Sequence, residues 1–418
     1  MPTSHARARC ARLNSRSKPK AASGCASGCN RNSNRTPTAT ANIFPLSGQR
    51  LRHRRQRAMR LRCGVGILEL TVWLGQDPGD GHWGCPIREH WGLSAHQQLS
   101  PAWQEKLAFT ATATGSYAEA AALAAKWGSP LEDSTVRALV QRAGARAERQ
   151  CQARLTQPPA EAEPARAAAA LGVLMVDGWL VRQRGPGWGR GRTKKARVEW
   201  HELKTGVFYR HDQAAQTAGG RGLLANKTVV SWQGEPVELS RRLHWEALRG
   251  GLGRARETLV VADGAAWIWK LAADRWGGAT EVLDFYHASQ HLWELGQALV
   301  GEAAVAGWVA PRLHRLRHGK ERVVLAEIAG LVVPRGVRGE VVRREQNYFA
   351  GHASRMAYAS ISARGWPVGS GAVESACRQR QCRFKRSGQF WTARGVRNLG
   401  ALDEARRNNH WDELWTTA

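Results

Sequence analysis

The segment LGVLMVDGWLV, residues 171–181, constrains the fold of this chain more than any other stretch of its sequence. It is a continuous apolar run that only Asp177 interrupts. A run without polar alternation is typical of a strand buried on both faces of a sheet. Because a buried carboxylate is costly unless a partner compensates its charge, Asp177 predicts a cation or a hydrogen-bond donor close to this strand.

A second predicted strand also ends in an aspartate. ETLVVADG, residues 257–264, is apolar up to Asp263, and a helix-like sequence follows. Both aspartates precede glycine, so a turn is the simpler interpretation of either one alone. Two such acids in one α/β unit of a basic protein instead favour Mg²⁺, which binds through a few carboxylates and substrate phosphates. Two such ions about 4 Å apart can support displacement at a phosphodiester.

A third acid, Glu374, lies near the C-terminus in GSGAVESACRQRQCRFKRSG, residues 369–388. The glycines break regular structure, and the sequence after them predicts a helix that begins near Glu374. We interpret Glu374 as a metal ligand at the scissile phosphate. The basic residues that follow it are interpreted as contacts to the DNA backbone: Arg378, Arg380, Arg383, Lys385 and Arg386. The alternatives are an acid that compensates the helix dipole and a solvated helix face.

The charge of the chain indicates a polyanionic partner. The formal net charge is +28 over 418 residues, which makes nucleic acid the first candidate. Residues 1–62 hold 15 Lys or Arg and no acid, and they lack apolar periodicity, so we expect this segment to be disordered. It is either a nucleic-acid-binding arm or upstream sequence translated from an early start codon, and we favour the second. The remaining residues still carry +13, so the expectation of a polyanionic partner does not depend on this segment.

Three helices are predicted between residues 99 and 156, after a small β element in GVGILELTVWLGQ, residues 64–76. Their N-terminal signals are Ser100 before Pro101, a capping box of Ser116 and Glu119, and Asp133 or Ser134. The second and third helices resemble a helix-turn-helix, whose second helix offers Arg137, Gln141 and Arg142 to DNA. An ordinary alanine-rich helical bundle is the alternative.

Strands and helices alternate beyond the Pro/Ala-rich residues 157–170. ARVEWHELKTGVFYR, residues 196–210, alternates like hairpin strands, and TEVLDFYHASQHLW, residues 280–293, reads as a strand followed by a helix. This pattern predicts an α/β sheet of mixed strand direction. The eight cysteines are scattered without a CxxC pair, which indicates neither a disulfide framework nor a zinc ribbon. No apolar run approaches the roughly 20 residues of a membrane span, and no signal peptide is evident, so we expect a cytoplasmic, nucleoid-associated protein.

The sequence also resembles a known protein family. Four stretches of the chain resemble the DDE transposases of bacterial insertion sequences, specifically the ISKra group. They are VDG at 176–178, VADGAAWIW at 261–269, LDFYHASQHLW at 283–293 and the block from 355 to 391 that contains GSGAVES. The resemblance covers nearly everything after about residue 60. It implies an RNase H-like catalytic core whose acidic triad falls on Asp177, Asp263 and Glu374. It also implies Mg²⁺, for which Mn²⁺ can substitute, and a homo-oligomer bound to double-stranded DNA.

The spacing of the triad adds to what the resemblance implies. Asp263 and Glu374 are 111 positions apart, which implies a helical insertion, as in Mutator-like relatives. Asp284 and His287 fit the D-x-x-H signature of those relatives and are possible accessory residues. The alternative for His287 is a helix-start histidine that is hydrogen-bonded locally.

These observations predict four segments. Residues 1–62 are a disordered basic segment, and 63–156 are a mainly helical region that binds transposon ends. An RNase H-like core with a basic C-terminal helix spans 157–287 and 366–418, and the helical insertion spans 288–365. The predicted function is metal-dependent cleavage at insertion-sequence ends followed by strand transfer into target DNA. Two alternatives are an RNase H-like nuclease without strand transfer and an inactive, transposase-derived DNA-binding protein.

Overall fold

The structure is a computed structural model that describes residues 48–93, 97–157, 171–189, 197–219, 222–224 and 226–416. The prediction of disorder for residues 1–47 therefore lies outside the described residues, as does most of the Pro/Ala-rich segment. The chain divides into an N-terminal unit, within residues 1–61 and 68–98, and a main unit, within residues 62–67 and 99–418.

A three-stranded sheet forms the N-terminal unit. Its strands are β1 (Arg52–Cys63), β2 (Gly66–Gln76) and β3 (Trp83–Gly84), in that order, and the short helix α1 (Pro86–His90) follows them. A small apolar cluster of Met59, Val72 and Cys85 joins these elements. The predicted β element after residue 63 is therefore confirmed as β2.

The predicted disorder of residues 1–62 is wrong for residues 52–62, because they belong to β1. The arginine-rich composition concealed this strand. Its arginines between residues 52 and 60 remain exposed, whereas Met59 and Leu61 are buried. A strand tolerates such a composition because only the side chains that face the core need to be apolar.

Three helices open the main unit: α2 (Pro101–Ala113), α3 (Tyr117–Lys126) and α4 (Asp133–Arg154). The caps of the first two are confirmed, since Ser100 Oγ accepts a hydrogen bond from Trp103 N at 3.3 Å and Ser116 Oγ accepts one from Glu119 N at 3.0 Å. The predicted cap of the third is wrong. Asp133 is already helical, and Glu132 occupies the N-cap position without a side-chain hydrogen bond.

A five-stranded mixed sheet is the centre of the main unit. It consists of β4 (Leu171–Arg184), β5 (Val198–Arg210), β8 (Thr228–Trp232), β9 (Glu257–Ala262) and β10 (Thr280–Leu283). A separate two-stranded sheet pairs β6 (Ala214–Gln216) with β7 (Gly222–Leu224).

The strand order of the large sheet is β10-β9-β4-β5-β8. β4, β5 and β8 are antiparallel neighbours, whereas β9 and β10 run parallel to β4. In the RNase H-like fold, the first three strands of the sheet along the chain are antiparallel neighbours. The fourth and fifth strands lie on the other side of the first strand and run parallel to it. The predicted fold class, an α/β protein with a mixed RNase H-like sheet, is confirmed.

Helices cover the sheet and fill the long interval before Glu374. α5 (Pro236–Arg249) follows β8, and α6 (Ala266–Arg275) follows β9. After β10 come α7 (Phe285–Val300), α8 (Val305–Arg317), α9 (Glu321–Ala329), α10 (Val337–Gly351) and α11 (Tyr358–Ala363), then α12 (Gly371–Phe384), α13 (Ala393–Arg407) and α14 (Trp411–Thr416). Short 3₁₀ turns occupy His211–Gln213, Leu252–Arg254 and Ala353–Arg355. The interval predicted as an insertion, residues 288–365, thus consists of helices and short connections.

Helix α4 packs directly on α13. A Cβ placed on Gly144 would overlap the carbonyl oxygen of Asn398, so only glycine permits this approach. The side chain of Asn398 also donates to Gln141 Oε1 at 2.9 Å. α4 is therefore part of the same packed body as the C-terminal helices.

The boundary of the N-terminal unit can be tested by two deletions. Removing residues 1–47 leaves β1 whole, so the unit should stay folded. Removing residues 1–60 takes away most of β1 together with Met59, and the remaining strands should lose protection because isolated two-stranded hairpins are marginally stable. Hydrogen exchange of β2 amides measures both, with the sheet of the main unit as the internal control. Equal protection of β2 in both deletions would contradict the structural role of β1.

Candidate active site

The pairing of β4 with β9 places Asp177 and Asp263 side by side. In this parallel ladder Val176 is opposite Ala262, and each aspartate is the next residue in its chain. Residues in register on neighbouring strands project to the same face of a sheet. Asp177 does not form a turn, since β4 continues through it to Arg184. Asp263 does begin one, because its Oδ1 accepts a hydrogen bond from Ala265 N at 3.0 Å.

Burial and like charge both act on Asp177. Burial raises the pKa of its carboxyl, and the nearby carboxylate of Asp263 raises that pKa further. Hydrogen bonds from Gly178 N and Cys377, together with His287, lower it without reversing the shift. Two carboxylates that destabilise each other in this way form a site that a divalent cation would stabilise.

Glu374 lies in the first turn of α12 and accepts a hydrogen bond from Ser370 Oγ at 2.8 Å. Cys377, three residues further on, hydrogen-bonds to Asp177 and is buried. Residues three apart share one face of a helix. The face of α12 that carries Glu374 is therefore the face turned towards β4 and Asp177.

Asp284 ties this region together from the interior. It is fully buried at the N-cap of α7 and accepts hydrogen bonds from His287 N at 2.8 Å and from the backbone N–H of Ser370. Both of its oxygens are thus used to join the start of α7 to the start of α12. This arrangement assigns Asp284 a positioning role between the two helices.

His287 is placed near the acids but is not held locally. Its ring nitrogen Nδ1 is 3.9 Å from Asp284 Oδ1, beyond hydrogen-bond distance, and is buried without a partner among the described residues. The alternative of a locally hydrogen-bonded ring is therefore not what the structure has. The ring is close enough to Asp177 to lower the pKa of that carboxyl.

The donor set at the acids fits a hard cation. Asp177, Asp263 and Glu374 offer carboxylate oxygens, which Mg²⁺ and Mn²⁺ prefer. Burial raises the pKa of the Cys377 thiol, and the Asp177 carboxylate raises it further, so this sulfur remains a protonated donor instead of a soft metal ligand.

The three acids are not gathered as tightly as a filled metal site. Among the described residues, the group whose ligand atoms all lie within 4.8 Å of one another is His291, Glu294 and Glu345. That group already has a cation, because Arg344 pairs with both glutamates. We therefore interpret it as an ion-pair network.

The basic residues of α12 divide into two classes. Arg380 is 1% exposed and pairs with Asp403 and Glu404, each at 3.2 Å. Arg383 is 7% exposed, and its guanidinium lies between the rings of Tyr117 and Trp391. The prediction that these two arginines contact DNA is wrong, since neither guanidinium reaches the surface.

The other three basic residues remain accessible; one lies on α12 and two directly follow its C-terminal end. Arg378 is exposed and makes no ion pair with any residue that the structure describes. Lys385 is half-buried, with its ammonium 5.6 Å from the centre of the Trp179 ring, and Arg386 pairs with Glu119 at the surface. Of these three residues, Arg378 is thus the one that has neither an ion pair nor a ring contact with any residue that the structure describes.

The three residues of α4 that are predicted to contact DNA also differ in their exposure to solvent. Arg137 and Arg142 are exposed, whereas Gln141 is half-buried and engaged by Asn398. The sequence contains no local signal for this contact. It also gave no reason to single out Ser370 and Cys377, although their positions four before and three after Glu374 place them near its helix face.

Comparison with known proteins adds little to this geometry. No protein-family model matches the chain, and no curated protein matches its sequence. A solved structure described as a Drosophila P element transposase strand transfer complex shares 10% sequence identity, with 75% of this chain and 80% of that chain covered and a TM-score of 0.24. Likeness at this level shows neither family nor function. Among the described residues, no helix is long and apolar enough to cross a membrane.

The buried arginine of α12 gives a direct test of its structural role. Arg380→Met should lower the free energy of unfolding by about 3–5 kcal/mol, because it leaves the buried carboxylate of Glu404 without its ion-pair partner and leaves Asp403 with only Arg406 and Arg407. Arg378→Met, on the exposed side of the same helix, should change it by no more than about 0.5 kcal/mol. Urea unfolding followed by tryptophan fluorescence measures both. Similar values for the two variants would contradict the division of the helix into buried and exposed cations.

Proposed function

We propose that this chain is a DDE-type DNA transposase that cleaves at the ends of an insertion sequence and joins the freed end to target DNA. The observation that carries the proposal is the placement of Asp177 and Asp263 directly after the last paired residues of β4 and β9, Val176 and Ala262, where the pKa of Asp177 is raised by burial and by the second carboxylate. The RNase H-like strand order supports it. The third acid, Glu374, is presented from α12 on the face turned to the same strand.

Each acid has a role in this proposal. Asp177 and Asp263 would hold the divalent ions beside the C-terminal end of β9, and Glu374 would complete the ligand set from the helix. When bound, Mg²⁺ or Mn²⁺ activates the attacking oxygen and stabilises the leaving oxygen at the scissile phosphate. Ser370 orients Glu374 through its hydroxyl, and Cys377 orients Asp177 through its thiol.

The proposed reaction has two displacements at the same acids. Water first attacks the phosphodiester at the transposon end and releases a 3′ hydroxyl. That hydroxyl then attacks a phosphodiester of target DNA, which forms one bond and breaks one. Because both displacements are in line at a phosphate, the same three carboxylates can serve both. Homo-oligomerisation on DNA is part of the proposal, since two ends must be joined.

Two surfaces are proposed to bind the DNA backbone. One is the exposed side of α12, represented by Arg378. The other is β1, whose exposed arginines, including Arg55 and Arg57, follow one another along a strand. Arg60 pairs with Glu69, whereas Arg55 and Arg57 make no ion pair with any residue that the structure describes, and exposed guanidinium groups of this kind suit phosphates.

The acids are tested by isosteric neutralisation. Asp177→Asn, Asp263→Asn and Glu374→Gln should each slow cleavage about a thousandfold or more, because bound metal contributes several kcal/mol to the transition state. DNA affinity should change little. Asp274→Asn, at an exposed position of α6, is the matched control and should retain full activity. The measurement is single-turnover cleavage and strand transfer with a duplex from the DNA that flanks the coding region.

The outcomes separate the candidate functions. Cleavage that requires the acids but never yields joined products would support a nuclease without strand transfer. Specific binding without cleavage in the unaltered protein would support an inactive DNA-binding protein. Near-normal strand transfer in any one acid variant would remove that residue from the proposed triad.

The contribution of β1 is tested by salt dependence. Arg55→Gln combined with Arg57→Gln should make the slope of log affinity against log salt shallower by about 1.8, since each phosphate contact contributes about 0.9. Arg335→Gln with Arg338→Gln removes the same charge from an exposed part of the helical insertion. Equal slopes for the two double variants would show that net charge, and not β1, sets the salt dependence.

A further inference from the structure

Helix α10, in the middle of the helical insertion, contacts the turn that follows β9. Tyr348 Oη donates a hydrogen bond to the backbone carbonyl oxygen of Asp263 at 2.9 Å. His352, directly after α10, hydrogen-bonds to the backbone of Gly264. Two side chains from one helix thus hold the two residues of the turn that carries the second acid.

The fit between α10 and this turn is close. Gly264 adopts φ +101°, a conformation that side-chain-bearing residues rarely adopt. A Cβ at this position would lie 3.0 Å from Tyr348 Oη and 3.0 Å from His352 Nε2. The backbone at Gly264 therefore approaches both side chains as closely as a glycine allows.

The phenol of Tyr348 is itself held in place by α7 and α10. Its ring stacks on His291, with ring centres 3.6 Å apart and planes 22° apart. His291 Nδ1 is 2.6 Å from Glu345 Oε2, and Glu345 is fully buried and also accepts from Arg344 Nε at 2.6 Å. A series of contacts thus runs from the buried carboxylate of Glu345, through the stacked ring of His291, to the Tyr348 hydroxyl and the backbone of Asp263.

Stability alone is a poor explanation for this arrangement. The Glu345 carboxylate loses its hydration on burial, and its partner Arg344 is exposed to solvent, so this ion pair contributes little net stability. Groups that hydrogen-bond behind a metal ligand, in contrast, commonly fix its orientation and strengthen metal binding. The contacts that begin at Glu345 end at the residue proposed as a metal ligand.

We propose that Tyr348 is a positioning residue through which the helical insertion orients Asp263 towards the metal ion. The inference rests on the proposed function, because it takes Asp263 to be a metal ligand. His291 and Glu345 act one step further away by fixing the plane of the Tyr348 ring. The insertion is then a support of the catalytic site as well as a covering of the sheet.

Tyr348→Phe is the test, because it keeps the stacked ring and removes only the hydroxyl. Tyr358→Phe is the matched control, since Tyr358 is a buried tyrosine of the same insertion whose hydroxyl has no hydrogen-bond partner among the described residues. Mn²⁺ binding is measured by isothermal titration calorimetry. The binding that Asp177→Asn abolishes is taken as binding at the acids, which separates it from any binding at His291.

Tyr348→Phe should weaken Mn²⁺ binding at the acids about 10- to 100-fold, the usual effect of losing a group behind a metal ligand. The Mg²⁺ concentration for half-maximal cleavage should rise by a similar factor, whereas the rate at saturating Mg²⁺ should change little. Tyr358→Phe should match the unaltered protein in both measurements, and thermal melting without metal should show that both variants are folded at the temperature of the titration.

Unchanged Mn²⁺ affinity in Tyr348→Phe would overturn the inference, as would equal weakening in Tyr358→Phe, which would indicate a general effect of buried hydroxyl loss. Failure of the proposed function has a different signature. In that case the unaltered protein shows no Mn²⁺ binding that Asp177→Asn abolishes, and this outcome overturns both proposals together.

Discussion

The parallel pairing of β4 with β9 is the interaction on which the rest of this protein depends. It places two aspartates directly after its last residue pair, and their mutual repulsion adds to the cost of burying Asp177. The surrounding elements supply contacts that offset this unfavourable free energy. α12 supplies a thiol donor to Asp177 and presents Glu374, the start of α7 is joined to the start of α12 through Asp284, and α10 holds the backbone of Asp263. An apolar pair at these two positions would need none of these contacts.

Part of the positive charge serves the interior. Arg380 compensates acids of α13, and Arg242 on α5 is buried while it pairs with Glu148 and Glu238. Glu404, beside this network, has a pKa raised to about 7, mainly by burial. Arginine suits such positions because it stays charged when buried and its fork of donors matches a carboxylate. Net charge therefore overstates the cationic surface that remains for nucleic acid.

Sequence reasoning succeeded where a signal is local or periodic. The unbroken apolar run around Asp177 predicted a buried strand, and Ser100 and Ser116 predicted helix starts, because each signal lies within a few residues. It failed where the partner is distant in the chain. The burial of Arg380 depends on Asp403 and Glu404, more than 20 residues away, and β1 depends on an apolar cluster shared with Cys85. Composition alone cannot tell a charged side chain that is paired inside from one that is solvated.

The contact of Gly144 with Asn398 has a geometric consequence for the proposed complex with DNA. Since backbone meets backbone there, α4 cannot rotate or slide against α13 without breaking the packing of both helices. If Arg137 and Arg142 of α4 contact a duplex, they do so at an angle that is fixed with respect to the acids. The number of base pairs between the recognised sequence and the phosphate that is cut would then be the same in every complex of the protein with DNA.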